Sequence, residues 1–475
     1  MTTATKGKTR VERDSMGEMQ VPAEAYYGAS TMRAVLNFPI SDLRFPKEFN
    51  RALAQIKQAA AQVNMELGLL DKKIGEAIVQ AAQEVIDGKL DDQFVLDVFQ
   101  TGSGTSTNMN ANEVIAIRAI ELLGGQRGAR GMVLPNDHVN LCQSSNDVIP
   151  TAIHVAASKL VQEELIPALR ELQNALYAKS NQFMPIIKTG RTHLQDATPI
   201  RLGQEFLGYA GQLGRAIKRL RAAQEELTEV ALGGTAVGTG VNAHPEFAKR
   251  VCAQLRQTVG VQVWETTNHY QAQSTLDNVV SASGALRTIA VSLMKVANDI
   301  RWLGSGPRAG IGEIALPEVQ PGSSIMPGKV NPVIPESVCQ VCAHVLGNVE
   351  AIAIAGQSGN FEINVMMPVA AYNLLQAIKL LASVSRNFTR QCVAGITATA
   401  RGPEMVEKGL MLATGLVPKT GYDAAAKIAQ EAQRTGKTIR EVARERTKLS
   451  EEELAKVLDP AAMTAPGLTG APGGG

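Results

Sequence analysis

Apolar residues recur at three- and four-residue steps over long stretches of the chain, a spacing that is typical of amphipathic α-helices. The clearest stretch runs from Leu160 to Leu176, where leucines share one face and Glu163 and Glu164 lie on the other. Pro167 lies within it and predicts a bend, because proline removes a backbone hydrogen-bond donor. The same spacing predicts further long helices at 202–227, 276–303, 338–354 and 370–384.

Strand signals are sparse, since aromatic residues make up only 4% of the chain and few stretches alternate apolar with polar residues. Long helices rich in Ala, Gly and Ser can approach one another closely, which favours an extended bundle. We therefore predict a mainly α fold in three parts: a mixed, mostly helical domain over 1–143, a bundle over 144–396 and a small helical domain over 397–475. In the last part Ser450 and Glu453 form a capping box, and the Pro- and Gly-rich tail 465–475 is expected to be disordered.

One predicted helix has an apolar stripe that leaves little polar surface. Its members are Met366, Met367, Leu374, Leu375, Ile378, Leu380 and Leu381. Such a helix is covered either by its own chain or by other subunits, and the spacing alone favours neither.

The composition is that of an ordinary soluble protein of 475 residues, 45% hydrophobic and 19% charged. A net charge of +2 gives no broad attraction for nucleic acid or anionic lipid. The uninterrupted apolar runs fall short of the roughly 20 residues that a membrane-spanning helix needs, so no such segment is predicted. The N-terminus has basic residues without an apolar core, and we expect a cytoplasmic protein. Five dispersed cysteines predict reduced thiols, with Cys339 and Cys342 in packing positions.

Several short segments carry hydroxyl and amide groups with few charges: TGSGTSTN (101–108), QSSND (143–147), GRTHLQDATP (190–199) and GSSIMPGKVN (322–331). Gly322, Pro327 and Gly328 keep the last of these out of regular helix. Neutral donors with one cation, Lys329, suit a small anionic substrate such as a dicarboxylate. Alone, each cluster is more often a helix cap or a turn.

These segments, together with GGTAVGTG (233–240), resemble in order those of the class II fumarases (fumarate hydratases) in the aspartase/fumarase superfamily. The resemblance implies a three-domain fold that assembles into a homotetramer, with active sites shared among three subunits. It implies reversible hydration of fumarate to (S)-malate in the tricarboxylic acid cycle, without metal or organic cofactor. The substrate contacts that it implies are Ser103, Gly104, Thr105, Ser144, Ser145, Asn146, Thr192, Ser324, Lys329 and Asn331.

The catalytic residues that the resemblance implies are Ser323, His193 and Glu336. Ser323 would remove the proton beside a carboxylate, and Lys329 would stabilise the resulting dianionic aci-form more than the substrate. Backbone N–H groups of the loop and Lys329 would activate the serine. His193 would move a proton through a bound water, oriented by Glu336. Alone, His193 is more often a structural hydrogen-bonder and Glu336 a helix N-terminal acid.

Two departures from the family pattern bear on sites and substrate. The resemblance places a second anion site at Pro135, Asn136 and Asp137, but Leu134 stands where many members have histidine, so its usual contacts are not expected. The segment 333–336 is similar to aspartases and to some fumarases, whereas Gly328 and the segment 358–368 look like fumarases. Aspartate ammonia-lyase activity is therefore the alternative, and a non-catalytic structural protein on a lyase scaffold is the third.

No metal site is predicted, because the six histidines are dispersed and H-E-x-x-H is missing. GGTAVGTG lacks the lysine of a P-loop and the spacing of a dinucleotide fingerprint. We interpret it as a tight turn with exposed backbone near the active centre.

Overall fold

The computed structural model describes residues 8–129 and 131–467, and helices predominate in this part of the chain. The α-helices are α1 (Ala29–Asn37), α2 (Lys47–Glu66), α3 (Lys72–Ile86), α4 (Thr105–Leu122), α5 (Ser145–Leu160), α6 (Ile166–Phe183), α7 (Leu202–Glu226), α8 (Phe247–Thr258), α9 (His269–Ser274), α10 (Asp277–Leu303), α11 (Val333–Gly356), α12 (Met367–Gln391), α13 (Arg401–Val406), α14 (Val417–Thr420), α15 (Tyr422–Thr435), α16 (Ile439–Arg446) and α17 (Glu451–Val457). Most of the Pro- and Gly-rich tail, residues 468–475, lies outside the described residues.

The strands are short and pair two by two. They are β1 (Thr9–Asp14), β2 (Gly17–Pro22), β3 (Ile187–Thr192), β4 (Gln195–Arg201), β5 (Glu229–Val230), β6 (Trp264–Glu265), β7 (Ile314–Ala315), β8 (Gly359–Asn360), β9 (Ile363–Asn364) and β10 (Thr397–Ala398). The pairs β1–β2, β3–β4, β7–β10 and β8–β9 are antiparallel, and β5–β6 is parallel. The mainly α fold predicted from the sequence is confirmed.

The long helices predicted from apolar spacing are confirmed as α5 with α6, α7, α10, α11 and α12. Between α5 and α6 the chain stays helical but forms a π-helical turn, Val161–Leu165, immediately before Pro167. Because proline cannot donate the usual backbone hydrogen bond, a change of helical pitch there has a local cause. The predicted irregularity at Pro167 takes this form.

The chain divides into two compact units. The first comprises the described residues of Met1–Pro167, Ile217–Ala290 and Ala343–Ala382, and the second those of Ala168–Ala216, Val291–Cys342 and Ser383–Gly475. The sequence analysis instead divides the chain into three parts, at residues 143 and 396. That division stays a prediction.

In the first unit α2, α3 and α4 pack around a core of small and branched side chains. Ile78 and Ala81 of α3 and Ile115 and Ala119 of α4 are fully buried in it. Alanine at such contacts lets helices approach closely. Glu113 of α4 is buried and accepts hydrogen bonds from the backbone N–H groups of Gly28, Ser30 and Thr31, which closes the start of α1.

In the second unit a separate small core joins α15, α16 and α17 to the 3₁₀ segment Leu410–Leu416. The predicted capping box is confirmed, because Ser450 Oγ accepts from Glu453 N and Glu453 Oε2 accepts from Ser450 N. Thr438 and Glu441 form a second one at α16.

Three helical stretches are long and apolar enough to cross a membrane by length and composition alone: Asp277–Leu303, Val333–Gly356 and Met367–Gly395. On those two criteria the expectation that no such segment exists was wrong. The sequence interpretation counted uninterrupted apolar residues, whereas these stretches contain isolated polar ones. Only 44%, 39% and 61% of their most apolar windows are buried inside the chain, so much of this surface is left uncovered.

Candidate active site

Two helix N-termini bring hydroxyl groups together in the first unit. Ser103 Oγ lies 3.0 Å from Thr105 Oγ1, which lies 2.8 Å from Ser145 Oγ. Thr105 begins α4 and Ser145 begins α5. The first backbone N–H groups of a helix are unpaired and carry partial positive charge, so an anion is favoured where two such ends meet.

The chain reaches this geometry through two glycines. Gly104 has φ +74°, and an added Cβ would lie 2.9 Å from Ile149 Cγ2. Gly102, two positions before Gly104, packs closely on the backbone of Val365. A Cβ added to Gly102 would collide with the carbonyl oxygen of Val365. Gly102 O also accepts a hydrogen bond from Met367 N at 3.0 Å. Any side chain at either position would displace the hydroxyls.

QSSND enters α5 through a capping box. Ser144 Oγ accepts from Asn146 N at 3.2 Å, and Asp147 Oδ1 accepts from Ser144 N at 2.9 Å. The side chain of Asn146 donates through Nδ2 to Ala236 O at 2.8 Å, in the GGTAVGTG loop. The structure thus joins Ser103, Gly104, Thr105, Ser144, Ser145 and Asn146 in one cluster of the first unit.

Asp147 is a residue whose part in this cluster the sequence analysis missed. It is fully buried, and Oδ2 accepts from Gly233 N at 3.1 Å and Thr235 N at 2.9 Å. Burial raises the pKa of this carboxyl to about 6, although its backbone hydrogen bonds act in the opposite direction. The S-x-x-D spacing from Ser144 signals the cap, but nothing local signals a contact with residues 86 and 88 positions away.

Lys57 of α2 was also missed. Its side chain is fully buried, and burial lowers its pKa to about 7, with the Asp147 carboxylate acting in the opposite direction. A signal was available, because Lys57 stands at helical spacing from Leu53, Ala60 and Ala61, which are all buried. A lysine on the apolar face of a helix is rare unless it has partners.

In the second unit the segment 322–331 closes on itself. Gly322 N donates to Lys329 O at 2.8 Å, and Asn331 Nδ2 donates to Gly322 O at 2.7 Å. Ser323 Oγ accepts from Ile325 N at 3.2 Å and from Met326 N at 3.0 Å. Two backbone donors on one hydroxyl oxygen stabilise negative charge on that atom.

A pocket of about 680 Å³ lies beside this loop. Its lining comprises Asn298, Arg301, Trp302, Gly304, Ser305, Gly306, Lys329, Val330, Asn331, Pro332 and Glu336. The structure therefore brings Lys329, Asn331 and Glu336 to one cavity, with Arg301 as a second cation. Arg301 Nη1 donates to Asn298 Oδ1 at 2.8 Å, while its buried Nε has no partner within residues 8–129 and 131–467. A larger pocket, about 810 Å³ between α2 and α3, is lined largely by glutamines and has neither a cation nor a histidine.

His193 lies at the tip of the β3–β4 hairpin. His193 and Leu194 have φ of 57° and 61°, the left-handed pair of a tight hairpin turn. Both Thr192 and His193 are exposed. Among the described residues no hydrogen bond or ion pair joins His193 to Glu336, so their pairing stays a prediction.

Buried charges brace the base of that hairpin. Lys188 Nζ lies 2.8 Å from Glu205 Oε1 and 3.0 Å from Glu313 Oε2, and Arg191 Nη2 lies 2.7 Å from Glu313 Oε1. Burial raises the pKa of Glu205 despite the lysine beside it. These ion pairs anchor strand β3, which leads to His193, and the sequence analysis did not single them out.

The predicted second anion site falls on a π-helical turn, Pro135–Val139. Asn136 and Asp137 are exposed there. Leu134 N donates to His138 Nδ1 at 3.0 Å, so this histidine binds the backbone of its own turn.

Ser324, a further predicted substrate contact, is exposed on the 322–331 loop. In the described part of the chain no group of three or more His, Cys, Asp or Glu could hold a metal ion.

The cysteines are free thiols, and four of them, Cys142, Cys252, Cys342 and Cys392, are buried. Cys339 donates to Asn298 Oδ1 at 3.5 Å. Cys342 is buried and Cys339 partly buried, while the reduced state and the packing role of this pair stay predictions.

Comparison with known proteins gives consistent matches. Residues 17–347 match a family described as Lyase, and residues 412–465 match one described as Fumarase C C-terminus. The chain is 52% identical over 460 residues to fumarate hydratase class II 2 of Bradyrhizobium diazoefficiens, covering 97% of each. It is 52% identical over 459 residues to the mitochondrial fumarate hydratase of Rhizopus oryzae, covering 96% of this chain and 93% of that one.

Solved structures agree with these matches. The class II fumarase of Schistosoma mansoni superposes with a TM-score of 0.94 at 40% identity, covering 96% of this chain and 99% of that chain. A Brucella melitensis protein described as fumarate lyase:delta crystallin bound to cobalt gives a TM-score of 0.93 at 48% identity, covering 97% and 100%.

Proposed function

This chain belongs to the class II fumarate hydratases, and we propose that it interconverts fumarate and (S)-malate with residues carried by both of its compact units. It is a hydro-lyase, and the reaction places it in the tricarboxylic acid cycle. The observation that carries the assignment to a dianionic substrate is the chain of hydroxyls from Ser103 through Thr105 to Ser145 at two helix N-termini.

Substrate binding is proposed to use neutral donors for one carboxylate and a cation for the other. Ser103, Gly104, Thr105, Ser144, Ser145 and Asn146 would supply the former, while Thr192, Ser324, Lys329 and Asn331 would supply further contacts. An excess of fixed positive charge would bind substrate and transition state equally and raise turnover little. Hydroxyls and helix ends avoid that excess.

Proton removal is proposed to begin at Ser323. Its Oγ takes the proton from the carbon beside a carboxylate of malate, and the electron pair moves into that carboxylate to give the aci-dianion. Ser323 Oγ accepts hydrogen bonds from the backbone N–H groups of Ile325 and Met326. These bonds support the role, because they stabilise an alkoxide. Lys329 then balances the charge of the intermediate.

Loss of the hydroxyl completes the dehydration. His193 is proposed to give a proton to a bound water, which passes a proton to the hydroxyl of the intermediate. The C–O bond then breaks, the electron pair of the aci-dianion forms the C=C bond of fumarate, and the hydroxyl leaves as water. Its exposed position on a braced hairpin tip supports access to a ligand. Glu336 is proposed to orient this imidazole once copies of the chain have assembled.

Assembly is proposed to be a homotetramer in which three copies contribute to each site. Exposed apolar surface supports this assembly, since less than half of the most apolar stretch of α10 and of α11 is buried within the chain. Val291, Trp302 and Ile354 are about half exposed on these helices. Such surface is suited to other copies of the same chain.

Several further expectations remain proposals. The enzyme is proposed to work in the cytoplasm, unattached to membrane or nucleic acid, without metal or organic cofactor, and with its domains divided at 143 and 396. A second anion site at Pro135, Asn136 and Asp137 would lack the histidine that Leu134 replaces.

The test is a direct assay. Purified protein, treated with chelator, should generate the ultraviolet absorbance of fumarate from (S)-malate. A signal from aspartate alone would favour the ammonia-lyase alternative, and a signal from neither would favour the structural one.

A further inference from the structure

Lys57 makes contact with two side-chain amides that belong to the turn before Ser144. Its Nζ donates to Asn140 Oδ1 at 2.7 Å and to Gln143 Oε1 at 2.9 Å. Because lysine can only donate, both amides must turn their carbonyl oxygens toward it. Their NH₂ groups are thereby directed elsewhere.

Those NH₂ groups hold the backbone of the same turn. Asn140 Nδ2 donates to Gln143 O at 3.0 Å, and Gln143 Nε2 donates to Val139 O at 3.2 Å and Leu141 O at 3.0 Å. Lys57 therefore fixes the turn that leads directly into Ser144. Without its ammonium group Gln143 Oε1 would lose this donor, and Asn140 Oδ1 would keep only the bond from Asn108.

The same lysine is linked to the other substrate-binding segment. Asn108, in the first turn of α4 after Thr105, donates through Nδ2 to Asn140 Oδ1 at 3.1 Å. The oxygen that Lys57 binds is thus shared between the two helix N-termini that carry the hydroxyls. A shift of Asn140 would move both.

Asp147 holds the opposite side of the cluster. It joins Ser144 to the loop that begins at Gly233, and it binds Thr235 N while that residue has φ of 52°. A β-branched residue in the left-handed region is strained and persists only where its surroundings impose it. Thr235 precedes Ala236, whose carbonyl oxygen accepts from Asn146.

These two charges are costly, which argues against a purely structural role. Burying an ammonium group against neutral amides is less favourable than packing an apolar side chain of the same volume. The depressed pKa of Lys57 and the raised pKa of Asp147 both reflect that cost.

We propose that Lys57 and Asp147, with Asn108, Asn140 and Gln143, form a buried network that positions the hydroxyls and amides of the anion site. Neither charge touches substrate, so both are positioning residues. This inference rests on the proposed function, since it deepens the account of how that site holds a dicarboxylate.

The test uses the full-length protein and succinate, a four-carbon dicarboxylate that cannot be dehydrated. Lys57→Met and Asp147→Asn should each weaken succinate binding, measured by calorimetry, by about tenfold, as expected for a weakened charge-assisted hydrogen bond. The KM for (S)-malate should rise by a similar factor and by more than kcat falls, because these donors act in both ground and transition states. Lys57→Arg, which retains donors to both amides, should recover most of the affinity.

The matched control is Glu113→Gln. Glu113 is also a buried carboxylate that accepts three backbone N–H groups, but it closes α1 rather than the site. This variant should lower the midpoint of thermal unfolding while succinate binding and KM stay within about twofold of the parent, a change well below that of one lost hydrogen bond.

The proposal is overturned if Lys57→Met and Asp147→Asn fold and assemble as the parent does and bind succinate unchanged. If either fails to fold, Gln143→Met decides, because it leaves both charges in place and removes one contact of the network. Unchanged binding in that variant overturns the proposal as well. If the parent protein binds succinate but forms no fumarate from malate, the proposed function is wrong. The succinate titration of the variants then still tests the network.

Discussion

The Thr105 hydroxyl lies 2.8 Å from the Ser145 hydroxyl, although 40 positions separate them in the sequence. Each hydroxyl belongs to the first residue of a helix, so the contact also places the starts of α4 and α5 side by side. In the proposed function a carboxylate of the substrate lies beside this pair, so substitution of either hydroxyl tests the proposal.

Removing one hydroxyl of that pair should weaken catalysis without unfolding the protein. We expect Ser145→Ala to lower kcat/KM for (S)-malate by roughly ten- to a hundredfold, the effect of one or two lost hydrogen bonds to a charged group. Steady-state kinetics would measure it. Ser283→Ala, which removes a buried hydroxyl of α10 that donates to Val280 O, is the control and should leave kinetics unaltered. If Ser145→Ala and Ser283→Ala have equal kinetics, the proposed binding of a substrate carboxylate beside Ser145 is wrong.

Loss of the base should reduce turnover much more. Ser323→Ala removes the hydroxyl that is proposed to accept the proton, and we expect kcat to fall on the order of 10²- to 10⁴-fold. The thermal unfolding midpoint should hardly move, since the side chain lies on a partly exposed loop. A kcat within a few-fold of the parent's would remove Ser323 from the mechanism.

The histidine on the hairpin tip gives a parallel prediction. His193→Asn should lower kcat on the order of 10²-fold or more, because asparagine cannot carry a proton at neutral pH. Steady-state kinetics with (S)-malate would measure the fall in kcat. If kcat stays within a few-fold of the parent's, another group performs the transfer.

Backbone geometry at the start of α4 can be tested with a single methyl group. Gly104→Ala would force a left-handed alanine with its Cβ 2.9 Å from Ile149 Cγ2. We expect a loss of about 1–3 kcal/mol in stability and a raised KM, because the hydroxyls on both sides must move. In Gly211→Ala, in α7, the added Cβ meets no atom within 4 Å among the described residues beyond its chain neighbours and the nearby backbone of its own helix, so this variant should not destabilise. Denaturant unfolding with kinetics on both variants would show the contrast.

The buried charges predict a dependence of stability on pH. The pKa of Asp147 rises on folding from 3.8 to about 6, so its favourable contribution is complete below 3.8 and is lost as the pH rises through 6. The pKa of Lys57 falls from 10.5 to about 7, so its contribution is complete above 10.5 and is lost as the pH falls through 7. These two groups together contribute least between about pH 6 and 7.

Comparison with Lys57→Met isolates the alkaline part of this dependence. Between pH 7 and 9.5 the parent should gain stability relative to the variant, by up to several kcal/mol in free energy of unfolding. Unfolding midpoints across that range would measure the difference. A constant difference would mean that Lys57 titrates alike in the folded and unfolded chain.

A feature of the fold could be predicted from the sequence when the residues that form it lie close together along the chain. Apolar spacing predicted α7, α10, α11 and α12, and the S-x-x-E pattern predicted the cap at Ser450, because both signals lie within a few residues. The π-helical turn before Pro167 was expected only as a bend, since the proline identifies the site of a defect but not its type.

Long-range partners were beyond that reach. The contact of Asp147 with Thr235 spans 88 residues, and nothing in either segment specifies the other. Lys57 was missed although its own segment carried a signal, the helical spacing from Leu53, Ala60 and Ala61. Mean hydropathy found apolar stretches in α10, α11 and α12 that a search for unbroken runs overlooked.

The scarcely covered face of α11 bears on how the protein is made. Only 39% of its most apolar stretch is buried by its own chain, so each newly synthesised copy would expose apolar surface until the proposed assembly forms. Recovery from a heterologous host should therefore depend on the pace of translation and the supply of chaperones. Slowing synthesis ought to raise the yield more than any improvement to the folded core.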